Sequence, residues 1–240
     1  MVVVTRALLE VIALDAADAR AAEDGGADRL EVVTGMDQDG LTPTPEAVAA
    51  IRAVTALPLR VMLRGGAGFR TDPAETTRLR AQAHDLEAAG ADAFVLGFLD
   101  AHGDLDLAAM SAVSTATDLP WTCHRAVDHA RDRDLAWRVL RDLPRLDTVL
   151  TAGSADGVAD GLPILEHHAA DPDDAARMLA GGGLRPDHLP VLAAAGITQF
   201  HVGSPVRPGG SWSAPVDAAL VRTWRDLVDA ATRPTGGGVA

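Results

Sequence analysis

The sequence predicts a single-domain α/β protein folded as a closed (β/α)8 barrel, the TIM barrel. Three observations carry this expectation. The chain has 240 residues, against about 250 for a barrel of this kind. Eight short apolar runs begin about 20–35 residues apart, the spacing of repeated βα units. A glycine followed by two linker residues and then a strand recurs at Gly26, Gly90 and Gly196.

The runs, in order, are LLEVIA (8–13), RLEVVT (29–34), LRVML (59–63), AFVLGF (93–98), WTCHRA (121–126), DTVLTA (147–152), RMLAG (177–181) and QFHVG (199–203). The seventh has the least strand-like pattern. Ala-rich stretches with helix punctuation lie between them. Asp15 with Asp18 resembles a capping box, Thr44-Pro45 sets a cap before a first-turn proline, and Asp72-Pro73-Ala74-Glu75 combines cap, proline and acid. Gly25-Gly26, Gly90 and Gly196 stand where helices stop. Leu57-Pro58 and Leu119-Pro120 lead into the third and fifth runs. A doubly wound open sheet is the alternative, but it carries a Gly-rich turn after its first strand, where this chain has Leu14-Asp15-Ala16-Ala17. No composition break divides the chain, so residues 1–233 are read as the barrel and 234–240 as a flexible tail.

Composition narrows the function. The net charge of −13 opposes binding to nucleic acid or to an anionic membrane. No apolar run approaches the roughly 20 residues of a membrane span, and the first ten residues lack a signal-peptide layout. A cytoplasmic protein is expected. All 21 basic residues are arginine. Without lysine there is no side-chain Schiff base and no Walker A loop. The one cysteine, Cys123, excludes an intrachain disulfide and any multi-cysteine metal cluster.

Barrel enzymes work at the C-terminal ends of their strands. Strand alternation brings Glu10, Glu31, Arg64, His124, Thr151 and His201 to one lumen. Two carboxylates, two imidazoles and a guanidinium suit acid–base chemistry on an anionic ligand. The same charges also suit a buried ion-pair network that closes the barrel floor, above all for Glu10 and Glu31. Arg125 and Asp128 flank His124 as anion-binding candidates. The glycine turns Gly181-Gly182-Gly183 and Gly203-Ser204 stand where barrels build phosphate sites from backbone N–H groups. The remaining histidines, His84, His102, His129, His167, His168 and His188, are read as solvated. Cys123 and His124 point to opposite faces of a regular strand, so a lumen metal would not take both. Glu10, Glu31, His124 and His201 offer instead a mixed nitrogen–oxygen set for zinc or manganese.

The chain resembles the CutC family, named for copper homeostasis, over about residues 8–204. The resemblance rests on Leu9-Glu10-Val11, Gly26-Ala27-Asp28-Arg29-Leu30-Glu31, Gly40-Leu41-Thr42-Pro43-Thr44, Val61-Met62-Leu63-Arg64, Thr122-Cys123-His124-Arg125-Ala126-Val127-Asp128, Leu150-Thr151-Ala152-Gly153 and Gly181-Gly182-Gly183-Leu184-Arg185-Pro186. It implies a barrel, a cytoplasmic location, a homodimer and copper as the ion, with Cys123 as the thiol available to it. The family's other cysteine positions hold Ile12-Ala13 and Val33-Thr34, and its third-strand loop is shortened to Arg64-Gly65-Gly66-Ala67-Gly68-Phe69. Three functions are therefore expected in competition. They are copper handling, acid–base catalysis on a small anionic or phosphorylated metabolite, and a non-catalytic self-associating scaffold.

Overall fold

The computed structural model describes residues 6–233; the predicted tail at 234–240 lies outside them. Eight parallel strands close into a barrel in sequence order: β1 (Leu8–Ala13), β2 (Arg29–Val32), β3 (Leu59–Met62), β4 (Ala93–Leu96), β5 (Trp121–Cys123), β6 (Leu146–Thr151), β7 (Met178–Ala180) and β8 (Gln199–Val202). Each falls within or against its apolar run, the weakly patterned seventh included. Closure is made by β8 against β1, where Glu10 stands level with His201.

The ring of helices is α1 (Ala16–Gly25), α2 (Pro45–Arg52), α3 (Pro73–Ala88), α4 (Leu107–Ser114), α5 (Arg133–Leu140), α6 (Val158–Ala169), α7 (Pro172–Arg177), α8 (Leu189–Ala194) and α9 (Ala218–Ala231). Their starts follow the predicted caps. Thr44 accepts from the Ala47 amide at 3.3 Å and Asp72 from that of Glu75 at 2.8 Å. Asp15 caps α1, but Asp18 does not complete a reciprocal box. Its carboxylate accepts from the Leu14 and Val216 amides and pairs with Arg207 at 2.6 Å, which ties the loop after β8 to the start of α1.

Alternation along the strands divides the interior in two. Outward residues such as Leu9, Val11, Leu30, Val61 and Cys123 form the main core against the helices. Inward, polar groups fill the lower lumen. Arg60 forks onto the Asp147 carboxylate with both contacts at 2.7 Å and donates to Thr122 at 2.8 Å. Arg29 pairs with Glu10. A small apolar layer of Ile12, Val33, Met62 and Val95, joined by Met36 and Trp212, lies toward the mouth. Among the described residues the lower lumen is thus filled by ion pairs, and the mouth lies at the C-terminal ends of the strands, where barrel sites form.

Two histidines read as solvated are not. His188 is buried, with Nδ1 accepting from the Arg185 amide, and His168 is buried, stacked on Trp137 at 5.0 Å between centroids. Local sequence does not show the helix-layer packing that covers them.

Candidate functional site at the barrel mouth

A cavity of about 510 Å³ opens at the mouth. Of the predicted residues, Glu31, Arg64, His124, Arg125, His201, Gly182 and Gly183 border it. They arrive from the ends of β2, β3, β5, β7 and β8 or from the loops behind them, so the barrel frame fixes their spacing.

His124 follows β5 and is buried. Its Nδ1 accepts from the Ala126 amide at 3.2 Å, which assigns the ring proton to Nε2. Nε2 meets no hydrogen-bond partner among the described residues. Burial and the nearby Arg64 charge push its pKa down to about 3, so the ring is a neutral donor at physiological pH. Gly97 permits this packing, because a Cβ there would stand 2.8 Å from the His124 ring.

Glu31 and His201 face each other, Oε2 to Nε2, at 3.8 Å. His201 Nδ1 bonds Glu10 Oε1 at 2.8 Å. The two glutamates have opposite environments. Burial would raise Glu10, but Arg29 and His201 prevail and hold it down to about 2. Burial raises Glu31 to about 7, helped by the Glu10 charge. For His201, burial works against the charged ring, and the carboxylates of Glu31 and Glu10 overcome it, so its pKa lies above the usual value. Glu31 Oε1 is a second buried atom without a partner among the described residues.

Arg64 is largely committed to the fold. Nε donates to Gly68 O, and Nη1 reaches the carbonyls of Gln38, Asp39 and Gly40, each at 3.0 Å. Its guanidinium carbon lies 5.4 Å from the centre of the Phe69 ring. Arg125 spans the Asp128 carboxylate and the carbonyls of Ser154 and Ala155, and crosses beneath Gly182.

Several expected contacts do not reach the cavity. Glu10 lies below it, held by Arg29 and His201, and is part of the floor network. Asp128 is buried and organises the loop after β6, accepting from Thr151 Oγ1 at 2.6 Å and from the Ala152 and Gly153 amides. Thr151 is occupied by that bond, and Leu150 takes its place at the cavity wall. Gly181 packs beneath, where a Cβ would stand 2.8 Å from that of His201. Gly203 and Ser204 border a smaller adjoining cavity of about 140 Å³. Sequence reasoning missed Phe69, Met36, Met62 and Trp212, which supply the apolar walls. It also missed His129, which is exposed yet lines the mouth, 4.6 Å from the Phe69 ring centre.

Metal chemistry is constrained by the same geometry. Cys123 is fully buried, faces the helix layer, and donates through Sγ to the His124 carbonyl at 3.6 Å. Burial, and then the Asp128 charge, push its thiol pKa up. It does not fit a copper thiolate site, so its candidacy as a ligand fails. The four-residue zinc or manganese set is not assembled either. Glu10, Glu31 and His201 present ligand atoms within 4.8 Å of one another, without His124. Glu10 is already spent on Arg29, leaving Glu31 and His201 Nε2 for an ion.

A family model described as the CutC family matches residues 7–205. A family protein CutC of Xanthomonas campestris pv. campestris is 34% identical over 201 residues, covering 82% of each chain. The human protein named copper homeostasis protein cutC homolog is 32% identical over 198 residues, covering 81% of this chain and 72% of its own. The crystal structure of a putative copper homeostasis protein CutC from Streptococcus agalactiae superposes with a TM-score of 0.73 at 22% identity, over 82% of this chain and 98% of that one. Phosphoribosyl anthranilate isomerase from Thermococcus kodakaraensis shares the barrel, with a TM-score of 0.62 at 15% identity over 95% and 99% of the two chains. With the family model spanning most of the barrel and relatives above 30% identity over four fifths of the chain, this protein belongs to the CutC family.

Proposed function

We propose that the protein serves in copper homeostasis, the role printed in the names of its relatives, and that it does so without holding copper through a thiolate. The observation that carries the second half is the burial of Cys123 on the helix side of β5. Copper(I) favours soft sulfur ligands, and the cavity offers oxygen and imidazole nitrogen instead, with thioethers only in its apolar wall. The test is copper tolerance of a host strain lacking its own CutC-family gene. Wild-type chain and Cys123→Ala are expected to restore tolerance equally. No restoration by the wild type, or loss with Cys123→Ala, overturns the proposal.

A second reading is favoured by one specific observation: two residues that line the same cavity, Glu31 and His124, each carry a buried polar atom, Oε1 and Nε2, without a partner among the described residues. A buried polar group without a partner calls for an explanation, and a catalytic role is one. Glu31, titrating near neutral pH, takes a proton from a bound small anion. His124 Nε2–H then donates to the oxygen that gains charge. His201, held between two carboxylates, supplies the compensating positive charge. This makes the mouth a proton-transfer site for a small anionic metabolite. Solvent deuterium exchange into a panel of small phosphorylated and carboxylated carbonyl compounds, followed by NMR, tests it. Exchange with at least one compound, abolished by Glu31→Gln, is expected. No exchange across the panel, or undiminished exchange in Glu31→Gln, sinks it.

Two further features belong to the proposal. Among the described residues no helix is long and apolar enough to cross a membrane. We propose a cytoplasmic location, supported by the free thiol of Cys123. We also propose a homodimer, supported by exposed Leu107 and Leu135, which border one groove between α4 and α5.

A further inference from the structure

We propose that the loops after β7 and β8 form a phosphate subsite, so that the ligand of the mouth is a phosphomonoester; the proposal rests on the proton-transfer reading and names its substrate class. The small cavity of about 140 Å³ is bordered by Gly182, Gly183 and Leu184 from one loop and by Gly203, Ser204 and Pro205 from the other. Among the described residues the backbone amides of Gly182, Gly183, Leu184, Gly203 and Ser204 donate to no protein acceptor, whereas the amides of Gly181 and Val206 beside them are bonded. The residues that carry these five amides all border the one small cavity. Such amides are the means by which a turn binds an anion.

The backbone is set for this. Gly182 and Gly183 have φ of 90° and 77°. A Cβ on Gly182 would stand 2.7 Å from Arg125 Nε, so only glycine lets the loop lie over that cation, while a Cβ on Gly183 would meet nothing within 4 Å. The Val158 amide holds the loop from behind through the Gly182 carbonyl at 2.9 Å.

Charge points the same way. No carboxylate borders the small cavity, in a chain with net charge −13. Its one titratable neighbour is His201, whose environment favours the cation. The cavity shares Ile12, Gly182, Gly183, His201 and Trp212 with the larger one. The two cavities therefore adjoin, and the larger one, which Glu31 and His124 line, has room for the rest of an ester whose phosphate sits in the loops.

The experiment is calorimetric titration of the full chain with ribose 5-phosphate, ribose and inorganic phosphate. Ribose 5-phosphate is expected to bind about tenfold or more tightly than ribose, because charge-assisted hydrogen bonds are lost with the phosphate. It is also expected to bind more tightly than inorganic phosphate. Gly183→Asp, which sets a carboxylate in the open space, is expected to abolish binding of both phosphates. Gly183→Asn, which tolerates the same backbone, controls for folding and is expected to retain ester binding. Equal affinity for ribose and its phosphate, binding of inorganic phosphate as tight as the ester, or full binding by Gly183→Asp overturns the subsite. If the phosphate dependence holds while the bound ester exchanges no deuterium, or exchanges it undiminished in Glu31→Gln, the subsite stands and the proton-transfer reading falls.

Discussion

His201 and Glu10 share a hydrogen bond of 2.8 Å, Nδ1 to Oε1, beneath the barrel mouth. The bond fixes the imidazole from below and leaves Nε2 on the side of Glu31. A histidine oriented by one carboxylate and facing another separates two otherwise equivalent glutamates. Glu10, paired with Arg29, stays ionised. Glu31, where burial outweighs the more distant His201 charge, titrates near neutral pH. Two titratable groups driven apart by their surroundings are what acid–base assignment requires.

Glu10→Gln should therefore destabilise the barrel more than it alters the chemistry. It strands Arg29, a residue 6% exposed, without its counter-charge. Breaking a buried pair in this way costs about 3–5 kcal/mol. Urea unfolding at pH 7 measures it, and the double variant Glu10→Gln/Arg29→Met should recover much of the loss. The sign with pH follows from the depressed pKa. The stabilisation from Glu10 is present above the ordinary carboxylate value of 4.5 and fades as pH falls toward about 2. A loss below about 1 kcal/mol, the scale of exposed pairs, would show the pair to be energetically idle.

Glu31→Gln should have the opposite pH signature. A carboxyl raised from 4.5 to about 7 binds its proton more tightly folded than unfolded. Its ionisation therefore subtracts stability as pH rises from 4.5 to about 7, with no further change above that. The full effect is on the order of 3 kcal/mol. The variant minus wild-type difference removes the opposing contribution of His124 and the other histidines with lowered pKa, and reports Glu31 together with His201, whose pKa the Glu31 carboxylate raises. Melting temperatures at pH 5 and pH 8 should give a difference that favours the variant more at pH 8. A difference independent of pH would mean that Glu31 is already ionised at pH 5.

These residues also mark where the sequence was legible. Apolar runs located all eight strands, since each strand carries its outward core residues at alternate positions. Parity then brought Glu31, Arg64, His124 and His201 to one cavity. It failed at Thr151 for a definite reason. The pairing of β5 with β6 shifts between Trp121 and Thr122, so that Trp121 pairs with Leu146 but Thr122 with Thr148. A one-residue slip flips every side chain beyond it, which carries Leu150 inward and Thr151 to Asp128. Arg29 was within reach, sharing the parity of Glu31 and standing level with Glu10. Trp212 was not, because it comes from a segment with neither helical nor strand periodicity.

Cys123 should be chemically silent in the folded protein. Its side chain is 0% exposed and its pKa is raised by burial and by Asp128. An aromatic disulfide reagent should label it only after denaturation, and Cys123→Ala should leave copper(I) competition curves unchanged. Its cost in stability should be small, about 1 kcal/mol, since one sulfur is removed from a packed wall. Fast native labelling would place the thiol in contact with solvent and return it to candidacy as a ligand.

Arg207 should prove to hold the roof of the site. It is almost fully buried, pairs with Asp18 at 2.6 Å, and donates to the carbonyls of Ala214 and Ile12 at 2.7 and 3.2 Å. Its guanidinium carbon lies 5.1 Å from the Trp212 ring centre. That ring lies where a Cβ on Gly203 would sit, 2.4 Å from the ring edge, and it borders both cavities. Arg207→Met keeps much of the packing but removes the charge from Asp18, at a cost of about 3–5 kcal/mol. It should also release Trp212, raising acrylamide quenching of the intrinsic fluorescence. Trp212→Phe in the same background identifies the signal, since Trp121, Trp137 and Trp224 lie in the core. If quenching is unchanged while stability falls, the Arg207–Asp18 pair supports the fold alone and the tryptophan is held by Ile12 and Gly203.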